Sequence, residues 1–285
     1  MRRVASCFLL GMALAQQSVP APSQSPDIVL AAVARDQSLL TGGIGPSNRL
    51  GQGKVAVEPL VLLSPSGEWK NVPCSSGTGK GCQKFARDYL SKPHSYTVVS
   101  TDGKGATIHA APATLSECYD YVGKGTYSDG PIIDSAIASS SPDIFEDTEP
   151  SKNPDKHEVA TIRRTLAVLV PKKLDSARRL RFIGVRLEGH DLMVVQRTYA
   201  DLANPDERAQ FIFVIGAINQ DRFQILHWKK NVVDEEESML GTIRLKSGRE
   251  FLITVTSDPE SHGYRIYGFR DGKLTMVYSG GGSSC

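Results

Sequence analysis

No apolar run in this sequence is long enough for a membrane-spanning helix, which takes about 20 residues; Val4 to Leu14 falls short. Nor does one sign of charge dominate. The chain carries 33 basic and 31 acidic side chains, and removing residues 1–15 takes away Arg2 and Arg3 and no acid, leaving 31 of each. Without an excess of clustered Lys/Arg there is no general electrostatic reason to bind nucleic acid. No HExxH pair occurs among His94, His109, His157, His190, His227 and His262, so a helical metal motif is missing. No G-x-S-x-G elbow occurs either. Gly77-Thr78-Gly79-Lys80-Gly81 has Cys74 where a phosphate loop needs its first glycine and Gly81 where it needs a magnesium-holding hydroxyl. It is read as a cysteine-flanked loop. No catalytic constellation, metal site or cofactor is expected.

What is present begins with an address. Arg2-Arg3, the apolar run and Ala13-Leu14-Ala15 form the charged start, short core and A-x-A end of a signal peptide over residues 1–15. Export to the periplasm or exterior, in the style of a bacterium, is the expectation, with no integral membrane insertion after cleavage. Residues 16–26 (QQSVPAPSQSP) are a flexible spacer by composition. The cysteines remaining after cleavage, Cys74, Cys82, Cys118 and Cys285, are even in number, and an exported protein meets oxidising conditions. The glycine-rich loop between Cys74 and Cys82 favours that pair. Cys118 with Cys285 follows by elimination, tying the C-terminus to the N-terminal half across a flexible Gly280-Gly281-Gly282.

The fold class expected is mainly β, an antiparallel meander with duplicated four-strand units, sandwich-, barrel- or blade-like, with a few short helices. Residues 27–138 read as a small mixed β-rich domain, 139–157 as a polar linker, and 158–285 as a duplicated β domain. Ile28 to Ala34 follows Ser25-Pro26-Asp27, a helix start, although Ile-Val-Leu equally begins a strand. Val55 to Leu63 is strand-like. Phe85 and Tyr89, four apart, mark a short helix, and Tyr96–Ser100 with Ala106–Ala110 a hairpin.

The last hundred residues write one pattern twice, with a period in the fifties. Ile183 to Leu187 corresponds to Leu240 to Leu245, and Asp191 to Val195 to Glu250 to Thr254. A hairpin around Asn219-Gln220-Asp221 corresponds to one around Asp271-Gly272. Asp-Gly between two such runs is a strong hairpin signal, because both central residues must reach positive φ. The mostly alternating Lys273 to Tyr278 is the mark of a half-buried strand.

Two charge runs stand out. Arg163, Arg164, Lys172, Lys173, Arg178, Arg179 and Arg181 make a basic stretch, and Asp234 to Glu237 an acidic one. The plain reading is two solvated faces that attract each other; the sharper is a basic patch for an anionic envelope polymer or lipid head group. His227, alternating with Phe223 and Ile225, reads as a hydrogen-bonded strand residue. The function expected is a non-catalytic binding or structural protein with an unknown envelope or extracellular ligand. The alternative is a secreted hydrolase, for which Asp191, His190 and His262 are the first candidates. Ser283 and Ser284 follow the glycine run at what reads as a mobile end, a poor place for a nucleophile.

Overall fold

A computed structural model describes residues 27–35, 50–74, 79–100, 104–115, 121–148, 152–168, 180–197, 212–219, 221–230, 236–257 and 261–284. The predicted signal peptide and spacer lie outside them. Among the described residues the architecture is mostly antiparallel β-sheet, with two short α-helices.

Six strands close a barrel: β1 (Ile28–Ala34), β2 (Lys54–Leu63), β4 (His94–Val98), β5 (Thr107–Ala110), β7 (Tyr121–Asp129) and β8 (Ser135–Ser139). Around the barrel the order is β1-β2-β7-β5-β4-β8, and the pairing of Lys54–Val57 with Gly123–Thr126 closes it. Short β3 (Trp69–Lys70) and β6 (Thr114–Leu115) extend it at β2 and β7. Val29, Ala31, Val33, Val57, Val98, Ile108 and Ala138 fill the interior. Leu30, Ala32, Leu60, Val61 and Leu63, on the opposite face, pack outward against a second sheet. Ile28–Ala34 is therefore buried on both faces, which is why its sequence shows no alternation and reads equally as helix or strand. Pro59 sits opposite Ala31 beside a register shift, where a missing N–H is tolerated.

The Cys74–Cys82 disulfide is formed, with Cα atoms 4.5 Å apart. It packs with helix α1 (Lys80–Phe85) and a π-helical turn (Ala86–Leu90) against the barrel interior. Phe85, at the end of α1, and Tyr89, in the turn, stack with 5.2 Å between centroids. Cys118 and Cys285 fall outside the described residues.

Two four-stranded meanders follow. The first is β10 (Arg181–Leu187), β11 (His190–Arg197), β12 (Ile212–Asn219) and β13 (Arg222–Lys230), hydrogen-bonded in chain order. The second is β14 (Glu236–Leu245), β15 (Glu250–Ser257), β16 (Ser261–Arg270) and β17 (Lys273–Ser284), in the same order. Val194 and Ile253 each lie in the second strand of their meander. Asp271 and Gly272 have φ 53° and 71°, the double positive φ that an Asp-Gly hairpin demands.

The elements stack in layers. Phe251, Ile253 and Ile266 of the second meander pack on the barrel, while Leu252 and Tyr267 on its other face meet Leu192, Val194, Phe213 and Ile215 of the first. The far face of the first meander, with Met193, Val195 and Val214, is covered by Ile162 and Leu166 of helix α2 (Lys156–Leu166). Period-two alternation along β11 thus sends successive residues to two different cores.

Three expectations need correction. Residues 139–157 are more than a polar connection. Phe145–Glu146 forms β9, paired with Arg244–Leu245, and the Phe145 side chain enters the barrel-side core. Helix α2 then begins at Lys156, behind a capping box in which Asp155 accepts from His157 and Glu158 N–H and Glu158 reaches back to Asp155 N–H. The glycine run is not a loose tether, and Ser283–Ser284 do not end in a loose tail: Tyr264 pairs with Gly280, and Ser261 with Ser284. A Cβ on Gly281 would stand 2.4 Å from the Leu60 carbonyl oxygen, so glycine is what lets this strand lie on the barrel. The described part of the acidic run is not a solvated face either. Glu236 and Glu237, in β14, are 7% and 2% exposed; Asp234 and Glu235 fall outside the described residues.

Candidate functional site

Strand β16 supplies both faces of the second meander with the same chemistry. His262 and Tyr264 point to the barrel, and Arg265 and Tyr267 to the first meander. Each pair converges on one buried glutamate.

On the barrel side, His262 Nε2 lies 2.8 and 2.9 Å from the two carboxylate oxygens of Glu58, and Tyr264 donates to Glu58 Oε2 at 2.7 Å. The side chains of His262 and Glu58 are 0% and 4% exposed. This cluster is sealed, and it joins strands 204 residues apart in sequence.

On the other side, Glu237 Oε1 accepts from Thr254 and from Tyr267, each at 2.8 Å, and Oε2 lies 2.6 Å from Arg265 Nη1. Tyr267 Oη is also 3.3 Å from His227 Nε2. Tyr267 has one proton and gives it to Glu237, so the hydrogen on this contact comes from His227 Nε2, which sets the imidazole tautomer. Burial and the neighbouring Glu237 carboxylate raise the Tyr267 pKa, keeping that phenol a donor. Burial lowers the His227 pKa; Glu237 opposes the change, and Arg265 and Lys229 add to it. His227 is the hydrogen-bonded strand residue its sequence neighbours indicate.

Above this cluster lies an open cleft of about 450 Å³ between β13 and the β16–β17 hairpin, within the ~300–1,000 Å³ of small-molecule sites. Its apolar walls are Leu226 and Trp228 on one side and Leu274 and Met276 on the other, and Lys229, Arg265, Tyr267 and Ser279 supply polar groups. Trp228 is 42% and Met276 53% exposed. Register shifts interrupt the ladders here, at Ile215/Gly216 opposite β13 and at Ile266/Tyr267 opposite β17. Such bulges re-aim side chains and are over-represented beside binding sites. Away from the cleft, the N–H of Met239, beside the register shift in β14, is taken by Gln196 Oε1 at 2.8 Å, stitching the two meanders together.

A second cleft, of about 540 Å³, lies at the hairpin tips among Arg186, Arg244, Arg249, Glu188 and Glu250. Its charges largely face one another. Arg244 sits 3.5 Å from Glu146 and 3.6 Å from Glu250, and Glu250 also accepts the Glu188 N–H. No apolar side chain lines it, so it offers nothing to hold the body of an organic ligand.

The hydrolase candidates do not meet. Exposed His190 stacks on Phe269, 4.5 Å between centroids, with Asp191 beside it. His262 lies seven residues along β16 from Phe269, on the order of 20 Å at the rise of a strand. Arg163 and Arg164 are exposed in the last turn of α2, Arg163 over the Phe182 ring at 5.8 Å, and Arg181 is exposed at the start of β10. Lys172, Lys173, Arg178 and Arg179 fall outside the described residues. Among those described, no group of three His, Cys, Asp or Glu could hold a metal, and no helix is long and apolar enough to cross a membrane.

Sequence reasoning did not pick out Trp228, Lys229, Glu237, Arg265, Tyr267 or Met276 as site residues. Their one local signal was His227-Trp228 on a strand otherwise patterned for burial, and the acidic run concealed Glu237 by resembling a solvated stretch. Compared with known proteins, the chain matches no family model, no curated protein and no solved structure.

Proposed function

We propose that this is an exported, non-catalytic binding protein of the cell envelope or exterior, and that it holds a partly apolar small molecule in the cleft between its two meanders. The observation that carries this reading is the convergence of half-exposed Trp228 and Met276 on one cleft above polar groups bonded to each other. An exposed tryptophan and methionine facing each other across a concavity leave a hydrophobic surface for a ligand to cover. The polar groups below suit positioning better than turnover. Glu237 accepts from Thr254, Tyr267 and Arg265 at once, and the Tyr267 proton is already given away, so neither stands ready as base or nucleophile. Export is supported by the signal-like start and by the Cys74–Cys82 disulfide, a bond favoured outside the cytoplasm.

The test is a fluorescence titration of the purified protein with N-phenyl-1-naphthylamine, a neutral apolar probe. We expect saturable binding at one site, with energy transfer from Trp228, and at least a tenfold loss in Trp228→Ala. Absent or non-saturable binding, or equal affinity in Trp228→Ala, would overturn the reading. Export is checked separately by cell fractionation and N-terminal sequencing, where a mature chain starting at Gln16 outside the cytoplasm is the expected result.

A further inference from the structure

We infer that this cleft holds its ligand at neutral pH and releases it on acidification, because the ligand lies against the His227 imidazole and can cover only its uncharged form. The inference rests on the reading of the cleft as the ligand site and adds the control of that site.

Position carries the argument. His227 lines the cleft beside Leu226, across from Leu274 and Met276. Its ring is half-buried, with Tyr267 at 5.0 Å and Phe213 at 6.1 Å between centroids. A molecule that fills the cleft takes water away from the part of the ring still open. Loss of hydration penalises the charged form of any group, and imidazole is the side chain whose charge changes nearest neutrality. Burial already favours the neutral ring, and a ligand extends that burial.

The surrounding charges act in the same direction. Strand β13 brings Lys229, β16 brings Arg265 and Tyr267, and β14 brings Glu237. Phe213 of β12 and Leu274, Met276 and Ser279 of β17 carry no titratable group. Two cations thus stand against one anion. Glu237 alone favours an imidazolium, and its carboxylate is already engaged by Arg265 at 2.6 Å and by the Tyr267 and Thr254 hydroxyls. Tyr267 stays a phenol, its pKa raised by burial and by Glu237. His227 Nε2 keeps its hydrogen toward Tyr267 Oη, so the proton that comes and goes is the one on Nδ1. A ligand of low polarity lowers the local dielectric and strengthens the repulsion of a third cation by Lys229 and Arg265.

Linkage then fixes the pH dependence. The free protein protonates His227 below the ordinary value of about 6.5, and the complex protonates it lower still. Well above that value the ring is neutral in both, and affinity is full. As pH falls through the value of the free protein, the free form gains a proton that the complex refuses. Affinity then drops, by about tenfold for each unit separating the two values.

The test follows the His227 imidazole by NMR from about pH 7.5 to about pH 5, with and without N-phenyl-1-naphthylamine, whose own nitrogen stays uncharged over that range. We expect the probe to lower the His227 pKa by about one unit and to leave that of exposed His190 where it is. Fluorescence titration should show the matching loss of affinity, about tenfold in wild type across the range and less than about twofold in His227→Gln, with far-UV circular dichroism checking the fold at each pH. A His227 pKa that the probe leaves unchanged or raises, or an equal loss in His227→Gln, overturns the pH control while leaving the cleft as a binding site. Absence of saturable binding at about pH 7.5 removes the cleft itself. The NMR comparison is made on the wild-type chain, so a poorly folding variant does not spoil the test.

Discussion

Strand β16 carries the same kind of trio on both of its faces, and the two trios differ in access. His262 and Tyr264 close on Glu58 inside the contact between barrel and second meander, at 0% side-chain exposure for the histidine. Arg265 and Tyr267 close on Glu237 between the two meanders, where Arg265 remains 21% exposed and Trp228 stands open above. A carboxylate, a tyrosine hydroxyl and a basic group are enough to build either a clamp or the floor of a cleft. What separates the two is whether a second layer covers them. On the barrel side β2 does, aided by β17, whose Tyr278 donates to Asn71 at 2.7 Å. On the meander side β13 and β17 stand apart and leave the cleft.

The sharpest way to break this contrast is to disrupt the closed trio. His262→Ala leaves the buried Glu58 without its imidazole partner and should cost about 3 kcal/mol of unfolding free energy in urea titration, the upper end for an unsatisfied buried polar group. Replacing both, as Glu58→Met with His262→Leu, should recover most of that loss, since replacing both partners of a buried polar contact by apolar groups of similar shape can be nearly neutral. If His262→Ala were as stable as wild type, the sealed cluster would not be a clamp. Next in size, Tyr267→Phe removes one donor to Glu237 and should cost about 1–3 kcal/mol, with a change in probe affinity that Tyr264→Phe should not show.

How far the contrast could be read from residues alone depends on how local each part is. The Asp271-Gly272 hairpin and the Cys74–Cys82 disulfide were legible because turn chemistry and short loops act over a few residues. The dense apolar run of β11 was legible as strand, but not as a strand serving two cores. Ile28–Ala34 was ambiguous because burial on both faces erases the period that tells helix from strand. Helix α2 announces itself in Asp155-x-x-Glu158 followed by Val159, Ile162 and Leu166 at helical spacing, a signal that the surrounding polar residues masked. Glu237 and Arg265 could not be paired from sequence, since a run of acids shows no face until a sheet partner is known. Barrel closure through β2 and β7 is a register between strands far apart in the chain, and nothing local encodes it.

Smaller effects sharpen the same contrast. Trp228→Ala should change unfolding free energy by less than about 1 kcal/mol, as befits a half-exposed side chain, while weakening the neutral probe at least tenfold. The lowered pKa of His227 gives stability that is present above the unfolded-state value of about 6.5 and is lost as pH falls through the folded-state value. Urea titrations between pH 7.5 and 5 should therefore show a decline that is shallower in His227→Gln. An unchanged slope would mean that the imidazole is not held neutral beside Tyr267. The smallest effect belongs to Arg163→Gln with Arg164→Gln on exposed α2, which should shift stability by about 0.5 kcal/mol or less and leave probe binding as it is.

The two tryptophans allow the most direct test. Trp69 packs edge-on against Phe251, 5.1 Å between ring centroids, on the closed barrel side, and Trp228 stands in the open cleft. An amide and indole ¹H–¹⁵N spectrum recorded while N-phenyl-1-naphthylamine is added should show the Trp228 indole signal moving saturably and the Trp69 signal staying in place. Movement of Trp69 with Trp228 fixed, or of neither, would contradict the assignment of the closed trio to structure and the open one to binding.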